Sequence, residues 1–177
     1  MRKIMPLLLL CLLPLVAQAG DQQAKMSLAE AYRATNVAQH SFDPALATMP
    51  DAEKRYLSAL LAETDKAVIE RMQSQAALQA HAPVINNYGF ISMRIGALDP
   101  PMKLYRVHQL VRDAVLMEQQ YFDLLRNGAR FDPQSDMVQS IHRNLLTAYS
   151  DLLRLYPNEP PAIRQSFYAH LCALDFI

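Results

Sequence analysis

The sequence predicts an all-α protein, an antiparallel helical bundle of four principal helices with a short N-terminal helix. Three observations lead to this fold class. Glycine occurs only four times in the 177 residues, apolar residues recur at spacings of three and four, and every proline after residue 19 stands where a helix would start or stop. No segment needs strand pairing to explain its pattern.

The first two helices are predicted from their capping and breaking residues. Ser27 and Glu30 form a capping box, from which the first helix runs to near His40. Pro50 opens a long second helix that ends near His81. The apolar face of this second helix consists of Leu57, Leu61, Thr64, Val68 and Met72.

Three more helices complete the predicted bundle. Asp99 is a good N-cap with Pro100 in the first turn, and Gly128 ends that third helix as a left-handed cap. A fourth helix spans about 132–155, and a fifth starts at Pro160 and runs to the end. Short connections between these three predict antiparallel neighbours. Their inward residues are Val107, Val111, Ala114, Tyr121 and Leu125; Val138, Ile141, Leu145, Ala148, Leu152 and Leu155; and Ile163, Phe167, Leu171 and Leu174.

Residues 1–19 have the pattern of a cleaved signal peptide. Two basic residues precede an apolar run, and the small residues Ala17 and Ala19 fit the requirement of a signal peptidase. The competing interpretation is a lipid attached at Cys11, which Leu10 disfavours because the residue before a lipidated cysteine is generally small. We therefore expect cleavage near Ala19 and a periplasmic or secreted protein.

The mature chain, residues 20–177, is predicted to be a single helical-bundle domain of about 158 residues. Loss of the two basic residues in the leader reduces the basic residues from 17 to 15, against 17 acidic ones. Such a near-neutral chain lacks the basic face that nucleic acids and anionic lipid surfaces require. The sequence thus predicts no nucleic-acid partner and no stable membrane insertion after processing.

Cys172 is the single cysteine of the mature chain, so an internal disulfide is excluded. A buried, unreactive thiol is the ordinary outcome for such a residue. A homodimer linked through Cys172 is the alternative that an oxidising compartment would allow.

No motif for catalysis, a cofactor or a metal occurs in the sequence. There is no Gly-x-Ser-x-Gly turn, no Cys-x-x-Cys-His and no Glu-x-x-His, and His40 with Asp43 is a weak approximation to a metal pair. A non-covalent haem held by His170 and either Met72 or Met117 is the remaining alternative, although methionines at helical spacing usually belong to the core. We expect no cofactor, no metal and no enzymatic activity.

The segment 84–98 is apolar and β-branched but is bracketed by prolines, which predicts a long connection instead of a principal helix. Long connections in compact domains are commonly functional, and this one is too apolar for disorder. It is either a short packed helix or loop that covers the core, or a contact surface for another protein. The predicted partner-binding residues are Tyr88, Phe90, Ile91, Met93 and Ile95.

Glu118 lies in the middle of the apolar stripe of the third helix, where an ionised carboxylate needs a cation or hydrogen-bond donors. His170 lies on the buried stripe of the last helix, and an ion pair between the two is one solution. With His108, these residues define the predicted interior pocket. Two functions follow: a non-enzymatic exported protein of inhibitor, immunity or accessory type that binds an envelope or secreted protein, or a bundle that binds a small molecule or cofactor.

Overall fold

The computed structural model describes residues 26–84 and 87–176, and this part of the chain contains no strand. The predicted all-α class is therefore confirmed. The predicted signal peptide, with Cys11 and the cleavage site, lies outside the described residues. The helices are α1 (Leu28–Thr35), α2 (Asp51–Gln79), α3 (Tyr88–Gly96), α4 (Tyr105–Arg126), α5 (Asp136–Leu155) and α6 (Pro161–Cys172), with a 3₁₀ turn at Met102–Leu104 before α4.

The start of α1 is as predicted, but its end is not. The Ser27 amide donates to Glu30 Oε2 at 2.8 Å, and the Glu30 amide donates to Ser27 Oγ at 3.3 Å, which completes the capping box. The helix stops at Thr35 instead of near His40. Asn36 adopts a left-handed conformation with φ of 59°, and asparagine tolerates this region better than most residues, so it ends the helix early.

The start of α4 corrects the prediction that Asp99 caps a helix beginning at Pro100. A residue that precedes proline is driven away from helical geometry, so Pro100 cannot begin a helix before Pro101. Pro101 is itself extended, with ψ of 141°, and the chain enters α4 through the 3₁₀ turn. Gly128 does adopt the predicted left-handed conformation, with φ of 93°. At the next helix, Ser135 is the N-cap instead of residues 132 and 133.

The long helices do not all alternate in direction. Arg106 near the start of α4 contacts Asp151 near the end of α5, with Nε 3.2 Å from Oδ2, so these helices run antiparallel. Near the starts of α2 and α4, the Tyr56 hydroxyl lies 3.0 Å from His108 Nδ1. The other ends of these two helices line one groove. Thus α2 and α4 run in the same direction, unlike the predicted antiparallel bundle, because α3 adds a crossing between them.

The predicted inward faces form most of the core. Every residue predicted inward on α4 is buried, including Glu118, and so are the predicted residues of α5 and α6 except the half-buried Leu155. Met72 of α2 is also half-buried, and Arg71 is buried in its place. Continuing the alternating spacing of four and three residues from Leu57 through Val68 leads to position 71, so the correction follows from helical periodicity.

Across the described ranges, no helix combines the length and the apolar composition that crossing a bilayer would require.

Candidate functional sites

The segment predicted as a long connection contains α3, whose residues divide between two faces. Tyr88, Ile91 and Ile95 are buried, at the spacing of one helical face. Phe90 and Met93 point the other way and are 66% and 63% exposed. Of the five predicted partner-binding residues, three therefore belong to the core, and only these two form an exposed apolar surface, which we call the α3 patch.

Charged residues border the α3 patch on the side of α2. Glu63 of α2 accepts from Arg94 at 2.6 Å and from Lys66 at 2.8 Å, so two cations share one carboxylate. On the other side, α3 approaches α4 at its glycines. A Cβ atom built on Gly89 would lie 3.7 Å from the Gln119 side chain, which shows how closely the two helices pack.

The α4 shoulder of the patch also carries an exposed apolar residue. Gly89 of α3 faces Gln119 of α4, and Gly96 faces Arg112. Leu116 lies between Arg112 and Gln119 on the same face of α4 and is partly exposed. The apolar surface therefore continues from α3 towards α4.

Glu118 of α4 is fully buried beneath α3 and accepts a hydrogen bond from a residue of α3. The Tyr88 hydroxyl donates to Glu118 Oε2 at 2.7 Å, whereas Oε1 has no hydrogen-bond partner among the described residues. Burial raises the pKa of Glu118 to about 8, with Arg71 and the Tyr88 hydroxyl acting in the opposite direction. At neutral pH this carboxyl group is mainly protonated.

Arg71 of α2 is a buried cation near Glu118, and the segment after α6 covers it. Its Nη1 donates to the main-chain oxygen of Asp175 at 2.6 Å, and the Phe176 ring lies 5.5 Å from the guanidinium carbon. Arg71 Nε and Ser74 Oγ are both buried without a hydrogen-bond partner in the described part of the chain. We call Arg71, Ser74, Tyr88 and Glu118 the buried polar cluster.

His170 does not pair with Glu118 as the sequence suggested. Its Nδ1 donates to the main-chain oxygen of Ser166 at 2.7 Å, and its Nε2 lies 3.4 Å from Asp65 Oδ1. Asp65 also accepts from the Tyr32 hydroxyl at 2.8 Å. His170 thus joins α6 to α2, and through Asp65 to α1.

His108, the third residue of the predicted pocket, has a separate partner. Its Nδ1 lies 3.0 Å from the Tyr56 hydroxyl. Burial, followed by the nearby Arg112, lowers the pKa of His108, so this side chain is neutral at pH 7. The three residues predicted to share one pocket therefore make three different sets of contacts.

An apolar groove of about 500 Å³ lies between the ends of α2 and α4. Its lining residues are Gln75, Leu78, Gln79, Phe122, Leu125, Ala129, Phe131 and Phe176. None of the predicted pocket residues lines it. Two of its residues touch the buried polar cluster: Phe122 stacks on Tyr88 with ring centroids 5.7 Å apart, and Phe176 lies over Arg71.

A second concavity surrounds the cysteine. Cys172 is half-buried beside His142 and Asp175, whose Nδ1 and Oδ2 atoms are 2.5 Å apart. Burial raises the pKa of the Cys172 thiol, which makes the nucleophilic thiolate scarce at neutral pH. Within residues 26–84 and 87–176, no three His, Cys, Asp or Glu side chains are grouped as metal ligands.

The sequence did not identify Arg71 or Phe176 as site residues. The periodicity of α2 contains a signal for Arg71, as described above. Phe176 had no such signal, because its position depends on how the segment after α6 folds back onto α2 and α4.

The fold and these contacts define an all-α protein with an exposed apolar helix face above a buried polar cluster. No family model, no curated protein and no solved structure matches this chain.

Proposed function

We propose that this protein is an exported, non-enzymatic protein that binds another envelope or secreted protein through the α3 patch. The observation that carries the proposal is the exposure of Phe90 and Met93 on a short helix whose opposite face is fully buried. Contiguous exposed apolar side chains with a charged border are the usual composition of a protein interface.

The charges around the patch define the chemistry of the partner. Arg94 and Lys66 together bring two positive charges to this border, where both pair with the Glu63 carboxylate. A partner with an apolar centre and acidic residues at its border would complement this surface. Inhibitor, immunity and accessory proteins all act through contacts of this kind, and the proposal does not depend on which of the three it is.

A rigid scaffold supports the presentation of the patch. We propose that α2, α4, α5 and α6 act as a four-helix bundle onto which α3 is added. Ile91 and Ile95 pack α3 onto the core, and Tyr88 bonds to Glu118 of α4. An interface built on a fixed helix loses little conformational entropy on binding.

The double variant Phe90→Ser/Met93→Ser tests this proposal. Affinity-tagged wild-type and variant proteins would be used to capture the partner from the envelope fraction of the source cells, and the captured protein would be identified and purified. We expect the Kd for the purified partner to rise by at least about tenfold in the variant, because apolar residues at an interface centre dominate binding.

The control is Leu124→Ser/Leu146→Ser, which removes two similarly exposed apolar residues from α4 and α5. It should bind the partner like the wild type. Equal loss of binding in both double variants, or none in the α3 variant with folding intact, would contradict the proposed surface.

Export is a separate part of the proposal and rests on the leader pattern. The intact mass of the exported protein should correspond to a chain beginning at Gly20. A lipid-modified species beginning at Cys11 would reject the free periplasmic or secreted form and favour an anchored one.

The second candidate function is a bundle that binds a small molecule or cofactor. The observation that favours it is Glu118 Oε1, which is buried without a hydrogen-bond partner in the described chain. His170 and His108 lend it no such support, since the structure gives both of them protein partners. A homodimer through Cys172 stays a prediction, which electrophoresis without reductant would test.

A further inference from the structure

We propose that the groove between α2 and α4 is a binding site for a long-chain carboxylic acid, whose acyl chain lies in the groove and whose carboxylate binds Arg71. This site is separate from the α3 patch and independent of the function proposed for it. Three observations support it: the composition of the groove, the unpartnered donors behind it and the charge of Arg71.

The groove fits an acyl chain in size and chemistry. A volume of about 500 Å³ is within the usual range for ligand sites, and aromatic and aliphatic side chains form most of the wall. The glutamines Gln75 and Gln79 of α2 supply its polar edge. An extended apolar ligand would remove the exposed Phe131 side chain from water.

The groove and the buried polar cluster lie on opposite sides of Phe122 and Phe176, which line the groove and contact Tyr88 and Arg71, respectively. Arg71, Ser74 and Leu78 share one face of α2, with Ser74 about one turn and Arg71 about two turns before Leu78 of the groove wall. Phe176 belongs to both places, because it lines the groove and covers the Arg71 guanidinium. A ligand that reaches Arg71 must therefore move the Phe176 ring aside.

Three atoms of the cluster can donate hydrogen bonds but have no acceptor among the described residues. These atoms are Arg71 Nε, Ser74 Oγ and the protonated Glu118 Oε1. Unsatisfied buried donors are rare and costly in native proteins. A carboxylate has two oxygens with about four acceptor positions, so one carboxylate group can satisfy all three.

The charge of Arg71 favours an anion over a neutral head group. Arg71 Nη1 donates to the uncharged main-chain oxygen of Asp175, while the Asp175 carboxylate is bonded to His142. Glu118 is mainly protonated at neutral pH, because burial raises its pKa. A buried guanidinium forms strong, charge-assisted hydrogen bonds with an incoming carboxylate.

The test uses delipidated full-length mature protein and cis-parinaric acid, a fluorescent 18-carbon carboxylic acid. Its fluorescence should rise on binding, and hexadecanoic acid should displace it. We expect the methyl ester of hexadecanoic acid to displace it at least about tenfold less effectively, because the ester forfeits the charge-assisted bonds to Arg71. Equal displacement by acid and ester, or no fluorescence change, would overturn the proposal.

A matched pair of variants localises the site. Ala129→Trp places a large side chain in the groove, whereas Ala162→Trp places one on the exposed side of α6, away from the groove. The first should weaken parinaric acid binding by at least about tenfold and the second should not, since only the first fills the volume that the acyl chain needs. Equal affinities in the two variants would reject this groove as the site.

Discussion

The outer face of α3 and the buried polar cluster beneath it have opposite chemistry, and α3 contributes residues to both. Phe90 and Met93 are apolar and face solvent, whereas Tyr88, two positions before Phe90, is fully buried and bonds to a carboxyl group. The apolar pair has no hydrogen-bonding needs. The polar atoms of the buried pair, Tyr88 and Glu118, need hydrogen-bond partners. Glu118 Oε1 has no such partner among the described residues.

This difference separates residues that hold the fold from residues that face a partner. Replacing a buried side chain of α3 should lower the free energy of unfolding, whereas replacing an exposed one should change only binding. Substitutions in the helix and the cluster, together with a change of pH, test that separation.

Ile95→Ala should lower the free energy of unfolding by about 3 kcal/mol, because it removes a fully buried side chain and leaves a cavity. Met93→Ala, two residues away on the exposed face, should change it by less than about 0.5 kcal/mol. Urea unfolding followed by circular dichroism measures both. Similar losses in the two variants would mean that the exposed face also packs against the protein.

The stability of the protein should fall as pH rises, because of Glu118. Its folded pKa is about 8 against an ordinary 4.5, so its contribution is fully present below 4.5 and is lost as pH rises through 8. His108 has a lowered pKa and titrates in the acid range, which makes the window from about 6.5 to 8 the clearest. Across it we expect a loss of about 2 kcal/mol.

Glu118→Gln is the control for this pH dependence. It keeps the side-chain shape and an oxygen that accepts from Tyr88, but it cannot ionise. The variant should therefore show a flatter stability profile from about pH 6.5 to 8. The same slope in wild type and variant would assign the titration to another group, with Arg71, Asp175 and Tyr88 being the charged or titratable neighbours of Glu118.

Tyr88→Phe should lower the free energy of unfolding by about 1 to 2 kcal/mol, because it deletes the hydroxyl that donates to the buried Glu118 carboxyl group. Tyr105→Phe, which alters an exposed tyrosine at the start of α4, is the matched control and should be neutral. Combining Tyr88→Phe with Glu118→Gln would give the coupling energy of the pair. A coupling energy of zero would contradict the importance of this bond.

Gly89→Ala should raise the free energy of unfolding by about 0.5 kcal/mol, since alanine has the higher helix propensity. The new Cβ atom would meet the Gln119 side chain at 3.7 Å, which is an ordinary contact distance. Thermal unfolding would detect the change as a slightly higher Tm. A lower Tm would show that α3 and α4 pack more tightly at this point than the distance implies.

Much of the core was predictable because helical periodicity is local. The burial of Val111, Glu118 and Phe167 follows from spacings of three and four along a single segment. Helix ends were less predictable, as Asn36 and Pro101 show, because small differences in backbone preference decide them. Segment 84–98 contains two glycines and is flanked by prolines, so the sequence predicts a long connection there and leaves a short packed helix such as α3 as one alternative.

Sequence alone is enough to predict the all-α class, the capping box at Ser27 and a carboxylate on the apolar face at Glu118, because each depends on residues within a few positions of one another. The hydrogen-bond partner of Glu118, by contrast, depends on how the helices pack. Tyr88 reaches Glu118 from 30 residues away, and Arg71 meets Asp175 from 104 residues away. Such partners are selected by the packing of separate helices, and no local spacing encodes them.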